Sequence, residues 1–332
     1  MTILKLELKT YYHKKDLPPL EDVNFFHYAS SFDWYDAIPA YTPLMIVAFN
    51  ADNKPVAAMF AVIKRMNRLF SSSFFKRCFI SQEPAFFDEN ILQIDVFHQL
   101  ISHLVKEVED KVFLIRYDGL GSAIFGYKGF RENNFYYAKW ISVRNSLQRK
   151  RKIWEQLSAS RKNQVNKAIK KGVVIEELLS ENDLPEIYEL LRIANFQKIH
   201  QRFPAFRYFE NFYHHYIKEG KGKILLTRYH GKIIGGIILG FERDTTVYSL
   251  YYWGKTKLYK FLHPTVFTIY SAMEIAEKEG FHYFDFMDTG FLNDVAGRTR
   301  FLLQFGGKQR ATRQWYRINW RLINFFAKKF YG

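Results

Sequence analysis

The chain has 332 residues, of which 48% are hydrophobic and 18% aromatic, enough apolar surface to offset the entropy of folding and to exclude a disordered polyelectrolyte. That length exceeds the size at which single cores stop growing, so two lobes of roughly 150 residues each are expected. A formal charge of +16 suits a polyanionic partner, while a single cysteine, Cys78, excludes a disulfide scaffold and a thiolate metal cluster.

In chain order, Leu44–Phe49 and Pro55–Ile63 are β-rich runs on either side of Asn50-Ala51-Asp52-Asn53, a turn-forming cluster that predicts a hairpin. Cys78-Phe79-Ile80 reads as a buried strand. From Ile91 to Val108 the residues Leu92, Val96, Phe97, Leu100, Leu104 and Val108 recur at helical spacing and give one buried stripe. Val112–Tyr117 and Phe135–Val143 follow as strands, bracketing a glycine-bearing segment.

A basic helix, Ser158–Lys171, should end at the capping residue Gly172. Val173–Leu178 is a short strand. Asp183-Leu184-Pro185-Glu186 reads as a helix start with Asp183 as N-cap and Glu186 closing a capping box. An aromatic helix from Pro204 to Lys218 leads to three strands, Ile224–Tyr229, Ile233–Phe241 and Thr246–Trp253. The middle strand is apolar on both faces, as a strand covered by helices would be. A helix Pro264–Glu279 then feeds the strand His282–Met287. The second half repeats the sheet-and-crossing-helix order of the first without visible identity, so the expected fold is α/β with mixed sheets: two tandem lobes, 1–150 and 151–316, and an amphipathic basic aromatic helix over 317–332.

The positive charge is uneven. Residues 144–171 hold ten Lys or Arg against the lone acid Glu155, and residues 295–332 hold nine and no acid. Such fields attract phosphates on a nucleotide, a transfer RNA, a sugar nucleotide or an anionic lipid surface. The first fifteen residues lack the apolar stretch of a secretion signal, and no run of about 18 apolar residues occurs. A cytoplasmic protein is expected, with peripheral contact at the inner membrane face left open by the last helix, which can rest on a bilayer or dock back onto the protein.

Candidate chemistry concentrates between Tyr251 and Asp288. A strand ending at Trp253-Gly254-Lys255 and a helix opening at His263-Pro264-Thr265 would present backbone N–H groups and a positive dipole end to a phosphate or pyrophosphate. The next strand brings Asp288 to its C-terminal edge, where such sheets place reactive groups. Other signals fail. Gly254-Lys255-Thr256 lacks the first glycine of a phosphate-binding loop, His98 and His103 are misspaced for a shared metal, and no Cys/His cluster exists, so no metal is expected.

Taken in order, Leu157-Ser158-Ala159-Ser160-Arg161-Lys162-Asn163 with Ala168 and Gly172, Gly231-Lys232-Ile233-Ile234-Gly235-Gly236, His263-Pro264, Glu279-Gly280, Phe284-Asp285-Phe286, and Phe301 with Phe305-Gly306-Gly307 resemble the GNAT acyltransferase superfamily in its FemABX-like, tandem-GNAT branch. The resemblance covers roughly residues 150–310; the first half resembles the other lobe by element order only. It implies an N-acyltransferase that moves an acyl or aminoacyl group from a coenzyme A thioester or an aminoacyl-tRNA to an amine of an anionic cell-envelope, lipid or polysaccharide precursor. Members that build peptidoglycan bridges usually carry a lysine where this chain has Leu302; Arg300 or Lys308 could supply a cation instead.

In this fold the donor carbonyl sits between splayed strands, here Thr246–Trp253 and His282–Met287, and accepts a backbone hydrogen bond. Asp288 is the candidate base or amine-orienting group, Tyr252 the candidate proton donor to the leaving group, and Arg161 a clamp for an anionic acceptor. The alternative is a non-catalytic nucleic-acid or membrane-surface binding protein on a decayed GNAT fold.

Overall fold

The computed structural model describes residues 6–67, 72–148, 151–195, 203–243, 245–291 and 296–331. Two compact units divide the chain, one comprising Met1–Trp140 with Ala311–Gly332, the other Ile141–Arg310.

The first unit opens with β1 (Glu7–Tyr11), a short helix α1 (Ser31–Trp34), β2 (Tyr41–Phe49), β3 (Pro55–Arg65), β4 (Lys76–Ser81) and the brief β5 (Ala85–Phe86). It continues with α2 (Gln93–Val108), β6 (Leu114–Asp118), α3 (Tyr127–Glu132) and β7 (Tyr136–Ser146). The expected hairpin forms, with β2 and β3 antiparallel and Ala48 opposite Ala57. Helix α2 buries Val96, Phe97, Leu100, Leu104 and Val108, each worth about 1.5–3 kcal/mol on leaving water, against strand residues such as Ile46, Ile80 and Ile115. Cys78 lies in this core on β4, where burial pushes its thiol up to about 12, well outside the range of a reactive thiolate.

The second unit contains α4 (Ile153–Gln156), α5 (Ala159–Lys170), β8 (Val174–Glu177), α6 (Leu184–Asn195), α7 (Phe206–Phe212), β9 (Gly222–Tyr229), β10 (Lys232–Glu242) and β11 (Thr246–Gly254). Helix α8 (Pro264–Lys278), β12 (Tyr283–Phe291) and α9 (Ala296–Leu303) follow. Its strands run in the order β7, β12, β11, β10, β9, β8. Strand β10 is buried from Ile233 to Phe241, because α8 packs along it and its two neighbours. The chain returns to the first unit within β13 (Lys308–Ile318), which pairs antiparallel with β6, and ends its described part in α10 (Arg321–Tyr331).

Three features depart from the sequence-based expectations. The boundaries fall inside β7 and β13 rather than at 150 and 316, because each strand begins in one unit and finishes in the other; α10 accordingly counts with the first unit. Strands β1, β5 and β13 and helices α1, α3, α4 and α9 have no counterpart among the predicted elements. Asp183 does not cap α6 but ends a 3₁₀ turn capped by Ser180, its carboxylate accepting from Arg228 of β9. A charge-assisted bond to a guanidinium is stronger than a bond to a neutral amide.

Candidate functional site

The site is built where β11 and β12 stop pairing. The two strands run parallel and match Thr246 with Tyr283, Val247 with Phe284 and Tyr248 with Asp285, and no further pair forms among the described residues. On its other edge β11 stays paired with β10 as far as Gly254 opposite Gly235. A bulge accounts for part of the divergence: Ser249 faces Leu239 and Tyr251 faces Ile238, so Leu250 is an extra residue that bends β11.

The other part lies in β12. Met287, two residues past the last pair, adopts a left-handed φ of 55°. A methionine does not hold that conformation unaided. Its N–H donates to Asp285 Oδ1 at 2.6 Å. Asp285 is fully buried, and its Oδ2 accepts from Arg144 Nε of β7 at 2.7 Å, with Arg310 Nη1 3.9 Å away. Arg144 in turn lies over the Tyr283 ring, 5.1 Å from its centroid. One buried carboxylate therefore pins β12 to β7 and fixes the kink that turns it from β11. Facing backbone groups along such a gap are left for a ligand to satisfy.

Beside the gap, β11 leads through a loop and a 3₁₀ turn into α8. His263 is the N-cap residue, with φ 48° and ψ 48°, and Pro264 occupies the first turn. Proline suits that position because its missing N–H would have found no partner there. The N–H groups of Val266 and Phe267 donate to His263 O, both at 3.0 Å, whereas the Thr265 N–H has no partner among the described residues. The His263 imidazole sits below its ordinary pKa, first because it is partly desolvated and then because Lys167, Arg161 and Lys171 surround it with positive charge. The same positive field at the start of α8 favours an anion.

Arg161, on the first turn of α5, is 7% exposed. Its guanidinium stacks on Phe301 and Phe305, at 4.3 and 5.4 Å from the ring centroids, and Nη1 donates to Gln164 Oε1 at 2.6 Å. Nε is buried without a partner, and no carboxylate pairs with the side chain among the described residues; burial lowers its pKa. A buried cation lacking a counter-ion is costly and is a fit for an anionic ligand group.

The sequence-predicted residues are distributed as follows. Gly254, Pro264 and Thr265 meet: a Cβ added at Gly254 would lie 2.9 Å from Thr265 N and 3.3 Å from Pro264 Cγ. Lys255 is drawn into the sheet through its N–H, which donates to Ile234 O at 2.7 Å. The Trp253 ring is buried above Gly236, where no Cβ would fit, so that residue offers a ligand its backbone. Tyr252 is half-buried on β11 opposite Ile237 and packs against the core. Asp288 belongs to β12, but its side chain lies outside the described residues.

Arg300 and Lys308 are exposed on α9 and at the start of β13, while Leu302 is fully buried in the core. The cation that covers Phe301 and Phe305 is therefore Arg161. Sequence reasoning missed Asp285 and Arg144. The available signal was a charged residue inside the apolar run Phe284-Asp285-Phe286, which requires a buried partner. Among the described residues no group of three or more His, Cys, Asp or Glu could hold a metal ion. A cavity of about 640 Å³ in the first unit, lined by Tyr12, Lys14, Tyr35 and Tyr41 among others, contains none of these residues.

Residues 159–294 match the family profile described as "Acetyltransferase (GNAT) domain". The second unit is a GNAT acyltransferase domain. The β11–β12 gap and the start of α8 both lie inside the GNAT match. A search of curated protein sequences gives no match. Among solved structures, FemX aligns with a TM-score of 0.65 at 13% identity, over 90% of this chain and 94% of that one. A tandem GNAT protein from the clavulanic acid biosynthesis pathway aligns at 0.59 and 10% identity, over 95% and 99%. The C-terminal domain (DUF2156) of a putative lysylphosphatidylglycerol synthetase from Agrobacterium fabrum aligns at 0.56 and 13%, over 85% of each chain. At these identities the likeness is one of fold, and the fold is that of the tandem-GNAT, FemABX-like proteins.

Proposed function

We propose that this acyltransferase moves an acyl group from a coenzyme A thioester to an amine on an anionic acceptor such as a cell-envelope or polysaccharide precursor. The observation that carries the reading is the gap between β11 and β12 opening beside an electropositive helix start. Phosphates of the donor would lie against the Thr265 N–H, with Gly254, Lys255, His263 and Pro264 shaping the contact and Arg161 neutralising one anionic group.

The donor carbonyl would enter the gap, where a backbone N–H no longer used for strand pairing can stabilise the oxyanion. The amine nitrogen forms its bond to the carbonyl carbon as the C–S bond breaks. The amine proton passes to Asp288, and the departing thiolate takes one from the Tyr252 hydroxyl. The product is an amide and a free thiol. Aminoacyl-tRNA is the alternative donor, favoured by the basic run of α5 and its C-cap, where Lys162, Lys167, Lys170 and the capping Lys171 have no acid among the helix residues.

Acetyl-CoA at about one hundred times its dissociation constant should stabilise the protein by about 2.7 kcal/mol and raise its unfolding midpoint by roughly 5–10 °C. Arg161→Met should unfold at or above the wild-type temperature without ligand, since it removes an uncompensated buried charge, yet lose at least about half of the ligand-induced rise. A variant that responds fully to acetyl-CoA would remove Arg161 from the donor site. Response to tRNA and to no thioester would transfer the reading to the alternative donor.

Asp288→Asn should lower kcat by about 100-fold or more while the thermal response to donor stays intact, within the range for loss of a general base. Unchanged turnover would reassign the proton acceptor.

A further inference from the structure

Helix α10 is mounted the wrong way round for a helix of a water-soluble domain. An amphipathic helix normally turns its apolar stripe to the core. Here the polar stripe faces inward: Asn324 is 7% exposed, its Nδ2 donates to Asn134 O at 2.9 Å, and its Oδ1 accepts the Ile318 N–H at 2.9 Å. Lys328 Nζ adds a bond to Asn134 Oδ1 at 3.1 Å. The apolar stripe is left outside, with Leu322 77%, Phe326 55% and Phe330 81% exposed at i, i+4 and i+8, and Phe325 and Ile323 beside them. Trp320, also exposed, extends the patch at one end through ring contacts of 5.6 Å to the exposed Phe74 and 5.7 Å to Phe113.

We infer that this face is a peripheral docking surface for an anionic phospholipid membrane. Arg321 lies at one edge of the apolar stripe and Lys329 within it near the end of the helix, both are exposed, and no acidic residue occurs anywhere from 295 to 332. Long basic side chains beside and among exposed aromatic residues match the two layers of a membrane interface, their charged ends reaching anionic headgroups while the rings meet acyl chains. Two copies of the chain joined through the same helix face would instead oppose Arg321 and Lys329 to their own counterparts with no acid on that helix to separate them. An eleven-residue helix is about 16 Å long, too short to cross a bilayer but sufficient to lie in its surface. The inference concerns the first unit and is independent of the donor assignment in the second.

Sedimentation of the full chain with vesicles tests it. Vesicles of equal parts phosphatidylglycerol and phosphatidylcholine should bind the protein at low salt at least about tenfold more tightly than pure phosphatidylcholine, with the difference shrinking as salt rises. The double variant Leu322→Glu with Phe326→Glu should lose about tenfold or more of that binding while its unfolding temperature stays unchanged, because both side chains are exposed. Reversal of these two charges, Arg321→Glu with Lys329→Glu, should remove the preference for phosphatidylglycerol although the apolar side chains are intact. No binding by the wild type, equal binding by the Leu322/Phe326 variant, or a dimer in solution that this variant disperses would each overturn the proposal.

Discussion

Replacing Asp285 by alanine should lower the unfolding midpoint by roughly 6–12 °C, the largest loss expected from any single polar residue of the second unit. The carboxylate is fully buried and receives both Arg144 Nε at 2.7 Å and the Met287 N–H at 2.6 Å. Its removal strands a partly buried guanidinium and takes away the bond that holds Met287 in a left-handed conformation, two costs that add. Asp285→Asn separates them. The amide oxygen can still accept the Met287 N–H, whereas the charge opposite Arg144 is gone. If the kink in β12 aims the donor, Asn should recover more of kcat/KM than of stability. An alanine variant that unfolds within about 1 °C of wild type would show that this pair does not lock the strand.

That pair also shows where the sequence stopped being readable. The hairpin of β2 and β3, the stripe of α2 and the start of α8 at His263-Pro264 were legible because each depends on neighbours within a few residues. Asp285 and Arg144 are 141 positions apart, and nothing local to either announces the other. The bulge at Leu250 is similarly a property of two strands, not of one. At Asp183 a local pattern was present and misled, because Arg228, brought close by β9, competes for the same carboxylate. Strand β13 escaped detection for a related reason: Arg310, Arg313 and Arg317 interrupt its apolar residues and give it the look of a solvated basic tail. In the folded chain Arg313 lies over the Tyr137 ring at 4.3 Å and Arg317 pairs with Glu109 at 2.9 Å, so the charges are absorbed by partners remote in sequence.

Gly254→Ala should reduce kcat/KM by about 10- to 100-fold, for a reason distinct from any contact between a side chain and substrate. The end of β11 and the start of α8 touch here through backbone: a methyl group at position 254 would collide with Thr265 Oγ1 and come to 2.9 Å from Thr265 N. The hydroxyl can rotate away, but the amide cannot, so the first turn of α8 must move off the strand that flanks the gap. A stability cost of about 1–3 kcal/mol is expected alongside, as for other overpacked sites. Two comparisons isolate the positional effect. Gly297→Ala, in α9 with nothing within 4 Å of the added methyl, should leave activity near wild type and stability unchanged or raised by up to about 1 kcal/mol. Adding Thr265→Ala to Gly254→Ala relieves the hydroxyl contact and leaves the amide contact, so it should restore stability more completely than turnover. Equal recovery of both would mean that the strand-to-helix spacing is a packing requirement only. Recovery of stability without turnover would tie the acyl transfer to where the Thr265 N–H points.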